Sequence, residues 1–143
     1  MSEHVPIIKI GEALLVSMQT DLSDESALIL QDDLSHKIVA SGARGVIINI
    51  SALGIVDSFI GRMLVTIASV ARVLDAQTVV VGMRPAVAIT LTELGLSLTG
   101  VRTALNTEKA VAILRASAAR NAEGDAQFGA LVLAHDDSIL REG

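Results

Sequence analysis

Cysteine is absent from this chain, which removes disulfide frameworks, thiolate metal sites and thiol nucleophiles together. Tryptophan and tyrosine are absent too, and Phe59 and Phe128 are the only aromatics, so a base-stacking surface is missing. Positive charge is scarce: the formal net charge of −5 argues against a phosphate backbone as partner. Long uncharged apolar runs are lacking as well. Only nine residues separate Arg62 from Arg72, against the roughly 18–20 that a spanning helix needs. The start, Met1-Ser2-Glu3-His4, has neither the basic flank nor the apolar stretch of a signal peptide. Neither a phosphate-cradling P-loop nor a Gly-x-Gly-x-x-Gly turn occurs, so no nucleotide cofactor is indicated. His4, His36 and His135 are far apart and support neither a metal site nor a Ser-His-Asp arrangement. The expectation is a soluble, cytoplasmic, non-catalytic protein without metal, cofactor, nucleic-acid or membrane partner.

What is present is aliphatic. The chain has 143 residues, of which 51% are hydrophobic, with a mean hydropathy of +0.58. That length suits one domain with one core. A core of Val, Ile, Leu and Ala fits an α/β fold whose sheet is covered on both faces, because such strands read as continuous apolar runs. Ala13-Leu14-Leu15-Val16, Val46-Ile47-Ile48 and Val79-Val80-Val81 are three such runs.

Val5–Ile10 and Ala13–Met18, parted by Gly11-Glu12, predict a hairpin. Ser23 or Asp21 can cap a helix whose first turn holds Asp24 and Glu25, where the dipole favours acid. Ala27, Leu30, Leu34 and Ile38 then form one buried stripe, and Gly42 closes the helix. A strand over Gly45–Ile50 is followed by a loop and a helix starting at Asp57 or Ser58 and reaching about Leu74. Ile60, Leu64, Ile67, Ala71 and Leu74 mark its inner face. Gln77–Val81 predicts a strand, and Pro85 opens a short helix with Gly95 just past its end. Val101–Ala104 predicts a brief strand, and Asn106 caps a last helix over Thr107 to about Ala119, with Ala110, Ile113 and Leu114 inward. After the hairpin, alternation of helix and strand implies a mixed, mostly parallel sheet of four to five strands with about four helices. The division is a domain over 1–119 and an extension over 120–143. In the extension an apolar run, Ala130–Ala134, precedes an acidic end; it can add a strand or cover a neighbouring subunit, and is expected to dock on the domain or on a partner.

Asp57-Ser58 is the pair with the most chemistry in it. A serine hydroxyl at a helix start on the rim of a sheet is reachable and lies near N–H groups that favour negative charge. It can cap the helix, accept a phosphoryl group, or do both. Phe59 is either a docking side chain or a core one, and Gly61 permits close approach on the first turn. Ser51, Thr66 and Ser69 are read as structural, and Arg84 and Glu93 as solvated.

Set in this order of elements, Val56-Asp57-Ser58-Phe59-Ile60 resembles the switch of a STAS domain, the module of anti-sigma-factor antagonists. Pro6–Ile10 with Ala13–Gln19, and Gly82-Met83-Arg84-Pro85 through Gly95, carry the rest of the resemblance, which spans about Val5 to Ala118. The single-domain RsbS type of stressosome protein is the nearer likeness. It implies that Ser58 is the phosphoacceptor, with Asp57, Phe59 and Gly61 in the partner-binding region. It also implies that the unmodified protein holds an RsbT-like serine kinase in a large homo- or hetero-oligomeric assembly with RsbR-like co-antagonists, and that a phosphatase resets the switch. Asn49 stands where many relatives carry an aspartate. One alternative is an anti-anti-sigma factor that binds an anti-sigma kinase directly, without a large assembly. Another is a small ligand-binding or enzymatic α/β protein, which requires a polar pocket at the strand ends.

Overall fold

The computed structural model describes residues 4–19, 22–96 and 100–120. β1 (Ile7–Ile10) and β2 (Ala13–Ser17) form the expected antiparallel hairpin, with Ile8 opposite Leu15. α1 (Asp24–Ser41) follows, capped by Ser23, whose hydroxyl oxygen accepts from the Ser26 N–H at 3.1 Å. Ala27, Leu30, Leu34 and Ile38 are all buried, and Gly42 ends the helix in the left-handed conformation. β3 (Gly45–Asn49) pairs parallel with β2, and β4 (Gln77–Val81) pairs parallel with β3. Between them runs α2 (Ser58–Val73); α3 (Pro85–Glu93) then leads to β5 (Arg102–Ala104), parallel to β4. A fourth helix, α4, occupies 107–120, and Asn106 Oδ1 accepts from the Lys109 N–H at 2.9 Å.

The sheet order is β1-β2-β3-β4-β5, so each new strand adds on the same side of the last. Right-handed crossovers advancing in one direction put every connecting helix on one face. The packing agrees: Leu14, Val16, Val46, Ile48 and Val80 share a core with α1, α2 and the α3 residues Val87 and Leu91. α4, the last element among the described residues, covers the other face. There Ala110, Ile113 and Leu114 meet Ala13, Ile47, Val79 and Val81. The apolar positions of β3 and β4 are thus consumed by one face or the other, which is why these strands read as unbroken hydrophobic runs.

Two departures from expectation are local. The first and fifth strands begin at Ile7 and Arg102 rather than at Val5 and Val101, with Ile7 opposite Val16 and Arg102 opposite Val79 as the first paired residues. The extension from residue 121, including the 130–134 run, lies outside the described residues.

Candidate functional site

The loop after β3 is set by three anchors. Asn49 Oδ1 accepts from the Ser51 N–H at 3.0 Å, turning the chain as it leaves the sheet. Leu53 donates its N–H to the Ile50 carbonyl at 2.9 Å, and Ile50, Leu53 and Val56 are buried. Gly82, leaving β4 with φ +75°, packs against Ser51; a side-chain carbon there would stand 2.7 Å from Ser51 Cβ. Only glycine supplies both that backbone angle and that clearance.

Pinned at those points, the loop delivers Asp57 to the start of α2. Asp57 is the N-cap: its Oδ1 accepts from the Ile60 N–H at 2.9 Å, and its carbonyl accepts from the Gly61 N–H at 3.0 Å. Ser58 is therefore the first helical residue, and capping does not fall to it. Its hydroxyl has no hydrogen-bond partner among the described residues, and the residue is half-buried at the surface. Ser58 and Phe59 N–H groups remain outside the intrahelical ladder, at the positive end of the helix dipole.

The neighbours sort by exposure. Asp57 is exposed, while Phe59 and Ile60 are half-buried and packed against the core on the α1–α3 side. Gly61 is buried, and Leu91 and Leu96 lie where its side chain would be. Any part it has in a docking face is through the close seating of α3 on α2, not through direct contact. Ile55, three residues before Ser58, is 89% exposed on the loop. Sequence reasoning did not single it out. The signal was there: in Ile55-Val56, two adjacent apolar side chains in a turn cannot both face inward. Arg84, exposed at the start of α3, brings its guanidinium to the same loop at Gly54.

Other titratable groups lie elsewhere. His4 Nδ1 meets Asp33 Oδ2 at 2.6 Å, and His36 Nδ1 lies 2.8 Å from the Asp32 carbonyl oxygen. Among the described residues no three His, Asp or Glu side chains gather as metal ligands would, and no helix is long and apolar enough to cross a membrane. Around Ser58 the chemistry on offer is an uncommitted hydroxyl, two free helix N–H groups, one acid, one guanidinium and one protruding aliphatic side chain. Those parts suit modification and docking.

A family model for the STAS domain matches residues 4–110. Moorella thermoacetica RsbS, in its S58E form, is 40% identical over 81% of this chain and 98% of its own, with a TM-score of 0.73. A chain from the stressosome, a signal integration and transduction hub, is 42% identical over 79% of this chain and 98% of its own, with a TM-score of 0.72. The unphosphorylated anti-sigma factor antagonist SpoIIAA is 15% identical over 78% of this chain and 96% of its own, at a TM-score of 0.64. At that identity the likeness bears on the fold alone. No curated protein matches the chain.

Proposed function

The chain belongs to the STAS domain family, and on that premise we propose that it is an RsbS-type stressosome subunit that sequesters a serine kinase until phosphorylated on Ser58. At the coarser level it is a partner-switching module of the anti-sigma-factor-antagonist kind, not an enzyme. The observation that carries the finer reading is the division of labour at α2, where Asp57 caps the helix and the Ser58 hydroxyl has no hydrogen-bond partner among the described residues.

Phosphorylation there adds about −1.5 to −2 charge and three acceptor oxygens. The Ser58 and Phe59 N–H groups and the helix dipole accommodate that charge within the protein. Asp57 opposes it, and a kinase packed over Ile55, Phe59 and Ser58 faces a new dianion in a desolvated contact. Release is the resulting sign. The freed RsbT-like kinase then acts downstream, a phosphatase restores the hydroxyl, and RsbR-like STAS chains complete the assembly. In this reading the domain is 1–119, and 120–143 is an extension whose apolar run docks on the domain or a partner.

Identity of 40–42% to the RsbS and stressosome chains, against 15% to SpoIIAA, favours this reading over a stand-alone anti-anti-sigma factor. The direct test incubates the protein with its cognate RsbT-like kinase and ATP and maps the product by mass spectrometry. A single phosphate on Ser58, absent from Ser58→Ala, is expected. Modification at Ser51, Thr66 or Ser69 with Ser58 untouched would refute the assignment.

A further inference from the structure

At the edge of the sheet opposite Ser58, where β3, β4 and β5 begin, lies a cavity of about 690 Å³. That is within the roughly 300–1,000 Å³ of small-molecule sites. The last turns of α2 border it on one side and α4 on the other. Arg44, Arg72, Arg102 and Arg115 all line it, against two acids, Glu12 and Asp75. The chain has eleven lysines and arginines in all and a net charge of −5, so four on one cavity is a local reversal of sign. None of the four forms an ion pair with a carboxylate among the described residues.

Gln77 and Thr78 also line it, one toward α4 and the other toward α2, as neighbours on a strand must. Ile10, Val111 and Leu114 supply an apolar wall on the α4 side.

We infer that this cavity binds a small organic anion, a carboxylate or phosphate monoester on an apolar body. Guanidinium forks pair with the planar carboxylate or the phosphate oxygens. The apolar body lies against Leu114. The site is separate from the switch, and its existence does not depend on what Ser58 does.

Titrations of the ¹⁵N-labelled full chain test this with four probes: phenyl phosphate, benzoate, benzyl alcohol and inorganic phosphate. Saturable shifts at the amides of Gly45, Gln77, Thr78 and Arg102 are expected from phenyl phosphate or benzoate, and whichever binds identifies the acid group. Benzyl alcohol is expected to leave them unmoved, and inorganic phosphate to bind about tenfold more weakly for want of the apolar contact. Arg115→Gln combined with Arg44→Gln should weaken the bound anion by about tenfold or more, because each guanidinium supplies charge-assisted hydrogen bonds. The inference fails if neither aromatic anion gives saturable shifts, if the shifts centre on Ser58, or if the double arginine variant binds unchanged.

Discussion

Asp57 and Ser58 are adjacent and both are helix-start residue types, yet the structure gives them different work. A carboxylate at the N-cap accepts from the third N–H along, and Asp57 does so at 2.9 Å. Asp57→Ala should therefore cost about 1 kcal/mol in urea unfolding, whereas Ser58→Ala should change stability by less than about 0.5 kcal/mol. Equal losses would mean that the serine shares the structural role and is not held in reserve. Ile55, 89% exposed, contributes nothing to the core. Ile55→Asp should leave stability within about 0.5 kcal/mol of the parent. If the loop is the docking face, the same change should weaken kinase binding at least about tenfold, as loss of an interface anchor does. Calorimetric titration with the cognate kinase reads it, and unchanged affinity would move the docking face elsewhere. Gly82 is the residue whose replacement should be felt most through the backbone. Ala there meets Ser51 at a positive φ, and destabilisation of more than about 1 kcal/mol is expected by thermal or urea unfolding.

Among the elements, those whose periodicity serves one purpose were legible from residues alone. Gln77–Val81 is a strand because four β-branched residues lie buried, alternating between the two faces, and its bounds match the expectation. The α1 stripe, its Ser23 cap and its Gly42 terminus were equally readable, since each rests on a local rule. At α2 the expectation was right about the face and undecided about the start. Two cap-forming residues in succession look alike until the hydrogen bond to Ile60 distinguishes them. Gly61 was read as permitting close approach, but its neighbours were hidden, because Leu91 and Leu96 come from a segment thirty residues on. Gly61→Val should push that segment from α2 and destabilise by about 1–3 kcal/mol, the usual range for overpacking. A stability equal to the parent's would mean that α3 is free to shift. The arginine-lined cavity was invisible for the same reason: Arg44, Arg72, Arg102 and Arg115 are spread over four elements, and only the topology brings them to one edge.

At the scale of the whole molecule, the sheet separates two chemistries. Its C-terminal edge carries the loop, Asp57 and Ser58; its opposite edge carries the cationic cavity; and α2 runs between them, about 24 Å at 1.5 Å per residue. Helices cover both faces of the sheet, and the loop and helix start that carry Ser58 stand at its C-terminal edge. Mixed with a larger RsbR-like STAS protein, the unmodified chain should sediment as a megadalton particle; a monomeric profile in the mixture would favour the stand-alone alternative. The central claim is narrower than assembly and is tested by one affinity comparison. The dissociation constant for the RsbT-like kinase should be measured for the unmodified protein and for the protein stoichiometrically phosphorylated on Ser58. A penalty of about 3 kcal/mol predicts more than a hundredfold weakening on phosphorylation. Equal dissociation constants for the two forms would contradict the account.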